Sequence, residues 1–423
     1  MPKKKQDEYF HAIKIIPENC SGCAKCVRDC PTEALRVIKG IITLDDKKCI
    51  DCGKCLEVCK YGALMPVVDK LESICKFSYK AAIVSSCFAG QFSEYSGYGR
   101  VMKILRSFGF DEIADESEVT EIQSLIIRDY IKKHPNKRPV ISGNCPAAVR
   151  LIQLKFPSLT ENILHLESAL STLTEYYRDK ISEEQNKAKE EIGIFLIVPC
   201  IAHVTAVHQP EGSNRRFQEG ALSIKEIGNK VLFKIDTEHF DCEPADDFMP
   251  GRSWAVTGAE ACDVGKNDLK TLSVNGIENI TEILHKIEDR QIEQFDYVVL
   301  HSCNNGCVGG VLNIENPFVA ARRIENYPIE EKRSSLDKEY FWELYRKGRF
   351  DVLPLEPRPI MELDSDIKEA IKKMKAVKKI RSLLPGLDCC ACGSPSCSAL
   401  AEDIVCGNAS LEDCLILLRE KNA

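Results

Sequence analysis

The chain has 423 residues, 44% of them apolar, and a formal net charge of -7. That length exceeds one ordinary core and supplies apolar material for two or three, while basic residues interspersed with acidic ones leave no stripe suited to nucleic acid. The N-terminal lysine run has no apolar segment behind it, and the longest apolar stretch, residues 192–198, is far too short to span a membrane; a soluble, cytoplasmic protein without membrane insertion is expected.

Twenty-two cysteines in a long chain without a signal segment, grouped as tight Cys-x-x-Cys units, point to metal rather than to disulfides. Cys20, Cys23, Cys26 and Cys30, followed by Pro31, form the Cys-x2-Cys-x2-Cys-x3-Cys-Pro run of bacterial ferredoxins. Cys49, Cys52, Cys55 and Cys59 repeat the spacing, with Lys60 in place of the proline. Three thiolates on one tight loop occupy three corners of a cubane, and the fourth cysteine serves the neighbouring cluster. One cluster is therefore expected on Cys20, Cys23, Cys26 and Cys59, and a second on Cys49, Cys52, Cys55 and Cys30. A pair of zinc knuckles needs only four cysteines each, but a doubled run followed by proline favours two [4Fe-4S] clusters, in a ferredoxin-like domain over residues 1–70.

From about residue 80 short apolar runs alternate with helical periodicity, which predicts an α/β domain with largely parallel sheets. Helices are expected over residues 101–108, 121–133, 147–155 and 168–180. Three apolar runs, 139–142, 192–198 and 297–300, lead into loops bearing Cys145, Cys200, and Cys303 with Cys307. In open α/β sheets ligands gather outside the carboxyl ends of the strands, so these four cysteines can converge on one centre. Each alone reads equally well as a small buried apolar residue. Cys87 follows a further run, 81–84; Cys75, Cys242 and Cys262 have no partner at ligand spacing and read as structural thiols.

The segments Ser142-Gly143-Asn144-Cys145-Pro146, Val198-Pro199-Cys200 and Cys303-Asn304-Asn305-Gly306-Cys307-Val308-Gly309-Gly310 resemble the three cluster-binding motifs of the [FeFe]-hydrogenase catalytic domain. Similarity continues at Arg106-Ser107-Phe108-Gly109-Phe110, over 149–158 and at Gly220-Ala221-Leu222-Ser223-Ile224, so that residues 80–325 are covered. The resemblance implies a hydrogenase-like domain over 80–360 in which Cys145, Cys200, Cys303 and Cys307 hold one [4Fe-4S] cluster. Cys307 would bridge to a two-iron carbonyl/cyanide unit.

The departures from that family fall on the chemistry. Asn144 stands where the family has its proton-transfer thiol, and asparagine cannot ionise. His203 and Ala206 stand for a lysine that bonds a cyanide and a glutamate of the proton path, His301 for a pocket methionine, and Gln123 and Ser124 for an acidic pair. His203, His301 and Asn144 are thus the pocket positions to follow. Imidazole can donate, shuttle a proton or ligate iron, or simply be a packed side chain.

Beyond a charged helix expected over 366–383, Cys389, Cys392, Cys397 and Cys414 carry the spacing Cys-x2-Cys-x4-Cys-x16-Cys, suited to one more [4Fe-4S] cluster in a domain over 361–423. This segment resembles the small iron-sulfur domain of corrinoid and related electron-transfer proteins, with Ala401, Ile404 and Gly407 in the matching pattern; Cys390 and Cys406 read as bystanders. The resemblance as a whole implies a slow, hydrogen- or redox-responsive relative of the hydrogenases, of low activity if it is an enzyme. Alternatives are an electron-transfer protein lacking the two-iron unit, a fast hydrogenase and a cluster-assembly carrier. The expected partners are a ferredoxin or an oxidoreductase subunit, and a separate signalling protein, in an anaerobic cell.

Overall fold

The computed structural model describes residues 9–93, 96–213, 217–237, 254–266, 269–326, 336–358 and 366–421. Cys242 lies outside them. The chain divides into two compact units, one made of residues 1–67 together with 357–423, the other of residues 68–356.

The first unit begins with the ferredoxin-type repeat. Strands β1 (Ile13–Ile15) and β4 (Leu64–Pro66) pair antiparallel, and β2 (Leu35–Ile38) pairs with β3 (Ile41–Leu44) as a hairpin. Each cysteine run opens a helix of one turn, Lys25–Arg28 and Lys54–Val58, after a residue in the left-handed region, Ala24 or Gly53. Cys26, Val27, Leu35, Ile42 and Leu64 form a small core against which six further cluster cysteines and small apolar side chains pack. Little else fills so short a segment, so the expected clusters would provide much of its interior. At the other end of the chain, Ile367–Leu383, capped by Asp366, packs on Cys397–Val405, around Leu384, Leu400 and Ala401.

The second unit holds two parallel sheets. One has the order β6 (Glu112–Asp115), β5 (Tyr79–Val84), β8 (Ile192–Val198), β9 (Gly220–Ser223), and the other β10 (Thr271–Asn275), β11 (Tyr297–His301), β7 (Val140–Ile141). The all-buried Ile-Gly-Ile-Phe-Leu-Ile-Val run of β8 is what a central parallel strand needs. Gly193 within it is required by packing, since a Cβ would stand 2.4 Å from the Phe77 ring.

The helices expected from periodicity are present at Tyr98–Arg106, Thr120–Lys133, Pro146–Lys155 and Ala169–Gln185. The last runs a turn longer than its pattern suggested, to Asn186 in the left-handed conformation. The run 139–142 yields only a two-residue strand, because Pro139 brings no amide donor to the ladder. Among the described residues no helix is long and apolar enough to cross a membrane.

Candidate metal centres

Four parallel strands deliver the core cysteines from their carboxyl ends. Cys145 follows β7 and precedes Pro146–Lys155, Cys200 follows β8 and precedes Ile201–His208, and Cys303 and Cys307 follow β11. Cys87 follows β5. Cys145 and Cys200 are buried, Cys303 and Cys307 half-buried, and all four are free thiols. They come together: the Cys200 thiol feels the charges of Cys303 and Cys145, and Cys307 those of Cys145 and Cys200. Ser302 links two of them, accepting from Cys145 Sγ at 3.5 Å and lying 3.8 Å from Cys303 Sγ. Burial, and then this mutual repulsion, pushes the Cys200 and Cys307 thiols well above their ordinary pKa. A dense knot of buried thiols is costly as thiolates alone and suits a polycationic iron-sulfur core that binds them deprotonated.

The loop of Cys307 is braced from several sides. Asn313 Nδ2 donates to Cys307 O and Val308 O, both at 2.8 Å, and Gln91 Oε1 accepts from Ile314 N and Glu315 N. Thr257 N donates to Asn305 O and Val308 N to Ala255 O. Gly306, at φ +92°, packs so closely that a Cβ would meet Ala255 O at 2.4 Å.

Asn144 and His203 line one cavity of about 120 Å³ beside the cluster loops, with Val149, Leu164 and Gln218. His203 Nδ1 lies 3.1 Å from Cys200 Sγ, within hydrogen-bond reach of the thiol. His301 is 4% exposed, and its Nδ1 has no hydrogen-bond partner among the described residues. Burial, with Arg150 and His301 adding for His203, lowers both histidines to about 4, so neither imidazole is charged near neutrality. Ala206 shares the cavity, whereas Gln123 and Ser124 are buried elsewhere, with Gln123 Nε2 donating to Glu167 O and Ser124 Oγ to Glu121 O.

Three residues important to the site carried no signal in the sequence. Glu260 is 1% exposed and accepts from Ser142 Oγ at 2.7 Å and Tyr297 OH at 2.6 Å, with the Asn144 amide approaching the same carboxylate. Glu116, at the end of β6, accepts from Ser85 Oγ, Ser86 N and Ser86 Oγ. Glu116 and the fully buried Cys87 both lie close enough to Cys307 to raise its pKa. Such carboxylates belong to no local motif; only their burial singles them out.

In the ferredoxin-type repeat the crossed ligand sets are brought together as the spacing predicts. Cys26 feels Cys59 and Cys23, while Cys55 feels Cys52 and Cys30. Burial lifts Cys26 to about 11 and pushes Cys49 and Cys55 well up. His11 and Asp51 stand with Cys49 as a close donor group, but His11 is spent on Asp51 at 2.8 Å and on Asp46 O at 2.9 Å, which leaves Cys49 to its cluster. At the C-terminus Cys392, Cys397 and Cys414 share one small core, and Cys389 adjoins it on the surface. Cys390 donates to Pro395 O at 3.2 Å, a structural use. Cys406, Cys75 and Cys262 are exposed.

Comparison with known proteins places these segments. Residues 79–260 match the family model "Iron only hydrogenase large subunit, C-terminal domain", residues 12–60 a 4Fe-4S dicluster domain, and residues 384–416 a putative Fe-S cluster domain. Among solved structures, a variant of the [FeFe]-hydrogenase HydA1 from Chlamydomonas reinhardtii aligns with TM-score 0.52 at 12% identity, over 68% of this chain and 98% of that one. An apo HydA1 variant from the same organism aligns at 0.48 and 13% identity, over 69% and 97%. At such identities the likeness concerns the fold alone. A search of curated proteins gave no match.

Proposed function

Because the chain is an iron-sulfur protein of the [FeFe]-hydrogenase family that carries 4Fe-4S domains, we propose that it is a slow, hydrogen- or redox-responsive member that passes single electrons through its clusters. Cys20, Cys23, Cys26 and Cys59 would hold one cubane, Cys49, Cys52, Cys55 and Cys30 a second, and Cys389, Cys392, Cys397 and Cys414 another. Cys145, Cys200, Cys303 and Cys307 would hold the core cubane, with Cys307 as the bridge to a two-iron unit. When bound, that unit supplies the metal at which hydrogen is split or formed.

The observation that carries the reading is the pairing of four convergent buried thiols with Asn144, an amide that lines the adjoining cavity and cannot carry a proton. The chain's own residues then position rather than relay. His203 can donate from Nδ1 to the Cys200 thiolate, drawing density from the sulfur and easing reduction of the cluster. The unpartnered Nδ1 of His301 offers a buried polar contact to a small acceptor ligand. Loss of the ionisable thiol suppresses turnover, as removal of a positioned acid-base group does, while leaving electron exchange intact.

A second reading, an electron-transfer protein without the two-iron unit, is favoured by His203 itself: an uncharged imidazole replaces the lysine of the resemblance, and its Nδ1 lies against Cys200. Infrared spectra between about 1800 and 2100 wavenumbers, on protein matured with the hydrogenase assembly factors, separate the two. Carbonyl and cyanide bands are expected; a silent spectrum from iron-replete protein sinks the first reading and leaves the second. In either case a ferredoxin-type carrier would exchange electrons with the chain, and a signalling partner would read its state.

A further inference from the structure

The C-terminal cysteine loop is seated on the ferredoxin hairpin within one compact unit. Val37 N, in β2, donates to Gly393 O at 2.8 Å. Gly393 adopts φ +86°, and a Cβ there would stand 2.0 Å from Val37 O, so both its conformation and its clearance require glycine. Beside it, Arg36 Nε donates to Asp403 Oδ2 at 2.7 Å, with side chains only 12% and 22% exposed. The Arg36 guanidinium is further held by Glu33 O at 2.7 Å, and Asp403 by Ser394 Oγ at 3.2 Å. Lys48 Nζ faces Glu402 at 3.9 Å, and the Arg28 guanidinium lies near the Cys390 thiol.

On one side of this seam, Gly393 directly follows Cys392, and Glu402 and Asp403 belong to the helix that begins at Cys397. On the other, Lys48 directly precedes Cys49, and Ala34, the residue before β2, donates its N–H to Cys30 Sγ at 3.3 Å. The C-terminal ligands therefore border Cys30 and Cys49, which belong to the second of the two ferredoxin-type ligand sets. Two cubanes with four thiolates each carry a net charge of about −2 apiece, and bringing them together in a low-dielectric interior is repulsive. Arg28, Arg36 and Lys48 supply cations along that seam.

We propose that the seam is an electron-transfer contact between the cluster held by Cys389, Cys392, Cys397 and Cys414 and the cluster held by Cys49, Cys52, Cys55 and Cys30, with the Arg36–Asp403 pair and Gly393 fixing their approach. The proposal rests on reading both cysteine sets as cubane sites. The step moves one electron from a reduced [4Fe-4S]1+ cluster to its oxidised [4Fe-4S]2+ neighbour, which becomes reduced; no bond breaks and no proton moves. The electron comes from an external one-electron donor of the reduced ferredoxin class, replaced by dithionite in the experiment.

The test uses the full chain, reconstituted with iron and sulfide, in wild-type, Cys397→Ser, Asp403→Asn, Gly393→Val and Arg36→Asp/Asp403→Arg forms. Iron content and the electron paramagnetic resonance of the dithionite-reduced protein are recorded for each. Cys397→Ser is expected to lose about four irons per chain, together with the part of the spin-coupled broadening that this cluster contributes. Asp403→Asn and Gly393→Val should keep their iron and lose that same part, and the exchanged double variant should recover it. Unchanged iron in Cys397→Ser would mean that no C-terminal cluster exists and would overturn the cubane reading, and the proposal with it. Iron lost from Cys397→Ser without any change in broadening, or broadening that survives in both Asp403→Asn and Gly393→Val, would overturn the electron-transfer contact alone.

Discussion

Glu260 offers the sharpest test of how the core cluster loops are held. Its carboxylate is fully buried and accepts from Ser142 Oγ and Tyr297 OH, so it anchors the segment that presents Asn144 and Cys145. Glu260→Ala strands two buried hydroxyls at about 1–3 kcal/mol each, a loss of about 2–6 kcal/mol, a large part of an ordinary domain's stability. Glu260→Gln keeps an acceptor oxygen and should cost about 1 kcal/mol at neutral pH. Burial raises the Glu260 pKa. Its contribution to stability is therefore complete below the unfolded carboxylate pKa and declines as pH rises through the folded one. The wild type should weaken with rising pH where Glu260→Gln does not. Urea midpoints across pH, read beside the iron content of the core, measure both effects. An alanine variant with wild-type midpoint and iron, or a glutamine variant as damaged as alanine, would refute the reasoning.

Three further outcomes are expected. Gly310→Ala places a Cβ 2.4 Å from Pro199 O, between the Cys200 and Cys307 loops, and should lower core iron by about four atoms per chain; iron analysis checks this. Glu118, raised to about 7 chiefly by burial, should make stability fall between about pH 4.5 and 7 by about 3 kcal/mol, and Glu118→Gln, followed by denaturant midpoints, should remove that slope. Cys406→Ser, at an exposed thiol, should retain all iron and the visible absorption of the reconstituted protein; a loss as large as that of Cys397→Ser would move the C-terminal ligand set.

The local spacing of Cys20 to Cys30 and of Cys49 to Cys59 determined the two ferredoxin-type ligand sets, because three ligands of a cubane can share one tight loop and their geometry is written in consecutive residues. The all-apolar run 192–198 likewise announced a central strand. Hydrophobic burial acts on each residue where it stands, so its pattern survives without the fold. The convergence of Cys145, Cys200, Cys303 and Cys307 was legible only through family resemblance, since parallel strands from two sheets have to align their carboxyl ends before those thiols meet.

Glu116, Glu260 and the Arg36–Asp403 pair were not legible at all. A buried carboxylate has the same letter as a solvated one, and its partners, such as Ser142 and Tyr297 for Glu260, lie more than a hundred or some tens of positions away. The sequence by itself determined which atoms can bind iron in the terminal segments. Tertiary structure decided which cysteines share the core centre, which carboxylates are taken out of water, and that the C-terminal loop rests on β2, because each of these depends on distances that only packing brings about.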